Sequence, residues 1–168
     1  SNLSELQLLQ YIVQDFGLNP LRSSRVHLFN QLSEFLLEEA SAGKNIVLII
    51  DEAQNLSARL LEQIRMLSNL ETDKEKLIQI VLVGQPQLRE KLKQPALEQL
   101  HQRIGVRYHV MPLDVDEVKT YIEHRLKVAG SDGSMTWTEE ALQEVFRCSK
   151  GVPRLINLIC DRVLLACY

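Results

Sequence analysis

Five consecutive apolar residues, Ile46-Val47-Leu48-Ile49-Ile50, run without interruption into the acid pair Asp51-Glu52. The run is rich in β-branched side chains and leaves no room for polar alternation. That pattern suits a central strand of a parallel sheet covered on both faces. Open α/β sheets bind ligands beyond the carboxyl ends of their strands. Two carboxylates delivered to that edge therefore mark a candidate site before any other residue is considered.

The rest of the chain supplies helices and a second strand at matching intervals. Leu6, Leu9, Ile12, Val13 and Phe16 recur at helical spacing and predict a helix over residues 4–16, stopped by Gly17 and Pro20. Ser23 or Ser24 can cap a second helix whose apolar stripe runs from Val26 to Leu37 and closes at Gly43. Ser57 is placed to cap a helix over 58–70, and residues 77–83 read as a second buried strand ended by Gly84-Gln85-Pro86. Short helices over 87–93 and 96–103, split by Pro95, lead to an expected third strand at 106–110. Strands alternating with helices predict a parallel sheet.

After Pro112 the pattern is helical. Asp114 and Glu117 form a D-x-x-E capping arrangement, Thr138 caps a further helix, and Pro153 suits the first turn of the last one. The expected organisation is an α/β core over residues 1–112 followed by an all-helical lid over 113–168, with Trp137 as an anchor of the lid.

Composition narrows the function classes. The chain has 168 residues, enough for one core with a small appended subdomain, and a net charge of −3. That balance does not favour nucleic acid or an anionic membrane as a partner. Cys148, Cys160 and Cys167 lack the spacing of a metal cluster or a secreted disulfide framework, so a reducing cytoplasm is the simplest setting. Cys160 and Cys167 lie one heptad apart, as core residues do. His27, His101, His109 and His124 are scattered without ligand spacing. No apolar stretch approaches the roughly 20 residues of a membrane helix. The charged stretch over 71–76 reads as a solvated loop.

The acid pair resembles the Walker B element of P-loop nucleotide hydrolases, where the Asp acts near Mg²⁺ and the Glu beside the attacking water. In that reading Asp51 holds Mg²⁺ through water, and Glu52 orients and deprotonates the hydrolytic water. An apolar strand ending in two solvated acids is the ordinary alternative. Gln85, at the end of the neighbouring strand, faces the same crevice, and its amide can bond both a phosphate oxygen and a water. Arg103 closes the polar helix ahead of the third strand and can reach a neighbouring subunit's site. In other hydrolases such an arginine is worth roughly 10³ to 10⁵ in rate, about 4 to 7 kcal/mol. Arg107, within the expected strand, is a poorer candidate. Arg154 puts a cation in the first turn of the last helix, where unpaired N–H groups disfavour it. Either an anion lies nearby or the guanidinium pairs with Asp161 or Glu140.

No G-x-x-x-x-G-K-[ST] phosphate loop occurs; the one Gly-Lys pair, Gly43-Lys44, is followed by Asn45. The sequence opens on Ser1-Asn2 instead of Met, and its first apolar residues already read as domain interior. The expectation is a piece of a longer chain whose phosphate loop lies upstream.

Four stretches, 46–54, 81–86, 99–107 and 151–161, carry a specific resemblance. Leu-Ile-Ile-Asp-Glu-Ala-Gln-Asn-Leu, Leu-Ser-Asn-Leu-Glu-Thr-Asp, Val-Leu-Val-Gly-Gln-Pro and Gly-Val-Pro-Arg-Leu-Ile-Asn resemble the AAA+ ATPase domain of the general secretion pathway protein A (ExeA-like) family. The resemblance implies a truncated P-loop NTPase core with a helical lid. It implies that Asp51 and Glu52 are Walker B, Gln85 is sensor 1, Arg103 is an arginine finger and Arg154 is sensor 2. ATP and Mg²⁺ are the implied cofactors of the intact parent, with neither held well by a chain lacking Walker A.

The implied partners are copies of the parent in a ring and envelope components of type II or related export. The implied location is a cytoplasmic domain of a parent that can be anchored in the inner membrane. Two rival functions remain at this point. One is a transposition-type, DNA-associated AAA+ regulator, which requires a basic stripe and salt-dependent DNA binding. The other is a nucleotide-independent interaction domain whose acids and arginines are surface charge.

Overall fold

The computed structural model describes residues 3–20, 24–72 and the backbone of 75–167. They divide into two separately packed units, one reaching to Arg107 and one starting at Tyr108. The sequence placed its boundary at 112/113, within the same irregular stretch. Ser23, Asp73, Lys74 and the side chain of Cys167 lie outside the described residues.

In the first unit, helices α1 (Glu5–Asp15) and α2 (Arg25–Ser41) precede strand β1 (Val47–Ile50), then α3 (Ala58–Leu67), β2 (Gln79–Leu82), α4 (Pro86–Leu92) and α5 (Glu98–Arg103). Local chemistry sets the helix starts. Ser4 accepts from the Gln7 N–H while the Gln7 side chain returns to the Ser4 N–H, closing a capping box. Ser24 caps α2 and Ser57 caps α3, each accepting from the N–H three residues on. α3 ends at Leu67, three residues before the expected stop, because the Ser68 hydroxyl and N–H both turn back onto the Arg65 carbonyl. Pro95 opens a short 3-10 turn over Pro95–Leu97 that separates α4 from α5.

β1 and β2 pair in parallel, with Val47 opposite Gln79 and Ile50 opposite Leu82. Leu48, Ile50, Ile80 and Leu82 face a core built from Leu8, Ile12 and Val13 of α1, Leu28, Leu32 and Leu36 of α2, and Leu60, Leu61 and Ile64 of α3. Burying each such leucine contributes about 1.5–3 kcal/mol. The sequence predicted a strand covered on both faces, and here the structure differs. Val47, Ile49, Val81 and Val83 stand on the opposite face and are exposed, Ile49 by 64%. Among the described residues the sheet has two strands, with helices packed on one side of it.

The expected strand at 106–110 does not form; residues 104–114 are neither helix nor strand. A strand needs an adjacent edge about 4.7–4.9 Å away to take its N–H and C=O groups. No described strand pairs with this segment, so Val106, Tyr108 and Val110 stand 87%, 89% and 79% exposed.

The second unit is helical: α6 (Val115–Val128), α7 (Glu139–Ser149) and α8 (Pro153–Cys167). Asp114 and Glu117 close the predicted capping box, and Thr138 caps α7. Val118, Ile122, Leu142, Val145 and Ile156 form its core, with Trp137 packed against them. Cys160 is half-buried in α8. Burial, and then Asp161, push its thiol above the ordinary range. No helix among the described residues is long and apolar enough to cross a membrane.

Candidate functional site

The site begins where β1 stops. Successive strand residues point to opposite faces, so two adjacent acids can serve one edge only if the chain leaves the strand between them. It does: β1 ends at Ile50, and Glu52 adopts the left-handed region at φ 52°, ψ 34°. For a residue with a Cβ that conformation costs roughly 1–2 kcal/mol. Fixed partners hold it. The Glu52 N–H donates to Asp51 Oδ1 at 2.7 Å, and the buried Ala53 donates its N–H to the Val83 carbonyl at 2.9 Å. The turn after β1 is thereby fastened to the end of β2.

Gln85 occupies the N-cap position of α4 but makes no side-chain cap bond there. Its Nε2 instead donates to Glu52 Oε2 at 3.4 Å, and the Gln54 amide nitrogen donates to the same oxygen. The Gln54 Oε1 in turn accepts the Gln85 N–H at 3.1 Å. Lys91, from α4, donates to the Gln54 and Leu56 carbonyls at 2.6 and 2.7 Å. The structure brings Asp51, Glu52 and Gln85 to one exposed edge.

Gln54, Gly84 and Lys91 complete this edge, and sequence reasoning missed them. The available signal was narrow: Gln54 lies two residues beyond Glu52, and Gly84 directly precedes Gln85. A Cβ at Gly84 would come within 2.5 Å of Gln54 Oε1.

Of the two predicted arginines, Arg103 contacts another part of the first unit and Arg154 belongs to the second. Arg103, the last residue of α5, donates to the Ser68 hydroxyl at 3.2 Å. That contact is at the C-terminal end of α3, a ten-residue helix about 15 Å long whose N-terminus follows the acid turn. Arg103 is thus placed away from Glu52 within its own unit. Arg107 donates to the His101 carbonyl at 2.7 Å. Arg154 is an exposed residue in the first turn of α8, in the second unit, and pairs with neither Asp161 nor Glu140.

The donor set at the edge is carboxylate and amide oxygen, which suits a hard cation such as Mg²⁺. Among the described residues no group of three or more His, Cys, Asp or Glu side chains is arranged to hold a metal ion. A Mg²⁺ ion would therefore meet one or two carboxylates here, and take the rest of its shell from water and ligand oxygens. A hollow of about 500 Å³ beside α4, lined in part by Pro86 and Lys91, includes neither carboxylate.

Comparison with known proteins places this geometry in context. Residues 1–92 match the AAA domain family. Over 168 residues the chain is 47% identical to "General secretion pathway protein A" of Aeromonas hydrophila, an alignment covering 99% of this chain and 30% of that protein. The chain thus spans about 30% of the length of that relative.

Proposed function

The chain belongs to the AAA domain family, and from that premise we propose that it forms the Walker B and sensor portion of an ATPase serving a bacterial general secretion or related envelope export system. The observation that carries the proposal is the shared oxygen. Glu52 and Gln85, from the ends of two parallel strands, meet at Glu52 Oε2. A carboxylate and a neutral amide so juxtaposed can share one water beside them, the free carboxylate oxygen taking its proton and the amide fixing its direction.

Asp51 is the residue placed to hold Mg²⁺, through water, with Glu52 as general base and Gln85 as the group that senses the terminal phosphate. Bound Mg²⁺ would supply neutralisation of phosphate charge. The phosphate cradle is not encoded in these 168 residues and would come from other parts of the parent. Arg103 is exposed and lies apart from Glu52 within its unit, which suits service to a neighbouring copy in a ring. Arg154, without an ion-pair partner among the described residues of its unit, suits an anion such as a nucleotide phosphate. The partners would be further copies of the parent and envelope components of the secretion system. The location would be cytoplasmic, with any inner-membrane anchor outside this segment. Nucleic acid is not an expected partner at a net charge of −3.

Thermal unfolding with and without ATP and Mg²⁺ tests the proposal on the full-length protein beside the 168-residue chain. A ligand at 100 times its Kd stabilises by about 2.7 kcal/mol, which is several degrees for a domain of this size. The full-length protein is expected to gain that stabilisation, and the short chain to gain little. If the full-length protein gains none, the nucleotide reading fails and the interaction-domain reading stands. Salt-dependent binding to DNA would instead favour the regulator.

A further inference from the structure

We propose that Gln54 is a positioning residue that couples Glu52 to Gln85, holding the Glu52 carboxylate in one orientation so that its second oxygen faces the water it activates. The inference rests on the functional reading above.

A carboxylate at an exposed edge, carried on a left-handed backbone, has several rotamers open to it. The Gln54 amide removes that freedom from both ends. Its nitrogen donates to Glu52 Oε2, and its oxygen accepts the backbone N–H of Gln85 at 3.1 Å. One planar group therefore spans from the acid to the end of β2, and Glu52 Oε1 remains unbonded by either amide. The main chain of Gln54 is held as firmly, because Lys91 takes its carbonyl at 2.6 Å and that of Leu56 at 2.7 Å.

Gly84 makes the arrangement possible. An added Cβ would meet Gln54 Oε1 at 2.5 Å, Leu88 Cδ2 at 3.1 Å and the Gln54 backbone nitrogen at 3.4 Å. The only flexible group among these at the shortest distance is the Gln54 amide, so a side chain at position 84 displaces it. A residue that merely filled the turn would need one of these contacts; Gln54 makes contact with the acid, the sensor strand and α4 together. Any shift of Gln85 toward or away from a phosphate is transmitted to Glu52 through a rigid amide.

The test is steady-state ATP hydrolysis by the full-length protein, comparing wild type with Gln54→Glu, Gly84→Ala and the double variant. Gln54→Glu keeps the shape, removes the N–H donors and sets a like charge beside Glu52. Each single variant is expected to lower kcat about tenfold while the KM for ATP stays within about twofold, the signature of an interaction that matters in the transition state. The double variant is expected to fall no further than either single one, since both break the same link.

Gln54→Ala adds a readout that does not need turnover: hydrogen exchange at the Gln85 amide should quicken in the 168-residue chain. Wild-type turnover with unchanged kcat in Gln54→Glu, or additive losses in the double variant, overturns the inference alone. Unchanged exchange at the Gln85 amide also overturns it, even if Gly84→Ala fails to fold. A wild-type protein without ATP hydrolysis overturns the functional reading and the inference with it.

Discussion

Left-handed backbone shapes the turn at Glu52 and the turn at Lys150-Gly151. At Glu52 the left-handed backbone lets adjacent acids serve one edge. At the other, Lys150 at φ 50° and Gly151 at φ 73° carry the chain from α7 into α8. Gly151 also receives a neighbour at close range. Its carbonyl accepts the Leu113 N–H at 2.9 Å, and a Cβ would lie 1.9 Å from the Leu113 oxygen. That oxygen is backbone and cannot swing away. Gly151→Ala is therefore expected to destabilise the helical unit by more than about 2 kcal/mol, combining positive φ with a main-chain clash. Urea unfolding followed by the fluorescence of Trp137, which packs on that unit's core, measures it. A loss under about 0.5 kcal/mol would mean that the contact with Leu113 is not made.

Strand β1 shows at the scale of an element what the sequence could and could not say. Its apolar run fixed the extended conformation, and its neighbours Leu48 and Ile49 look equivalent in the sequence. In the fold Leu48 is 8% exposed and Ile49 64%. Leu48→Ala is expected to cost about 2–4 kcal/mol, while Ile49→Thr stays within about 1 kcal/mol. Equal costs, measured by urea unfolding of the 168-residue chain, would contradict the one-sided sheet.

Helix starts were legible because a cap is local: Ser24, Ser57, Asp114 and Thr138 each need only their own next three residues. The stretch 106–110 was misread as a strand because pairing is not local. Val106, Tyr108 and Val110 have the alternation of a strand, but an edge to pair with must come from elsewhere in the chain.

Within the first unit the candidate groups Asp51, Glu52, Gln54 and Gln85 meet at one sheet edge, and the acids there were readable because they interrupt an apolar run. Gln85 was readable for the same reason, at the end of the second run. Gln54 was not, since its role comes from an approach to Gly84 and Gln85 that only the folded chain creates.

In the proposed mechanism Glu52 activates the hydrolytic water while other groups hold the nucleotide. Paired measurements of ATP turnover and Mg²⁺-ATP binding by full-length wild type and Glu52→Gln decide this. A positioned general base contributes about 10²–10⁴-fold, so turnover is predicted to fall at least about a hundredfold with binding intact. Turnover equal to wild type in the Glu52→Gln protein would contradict the account.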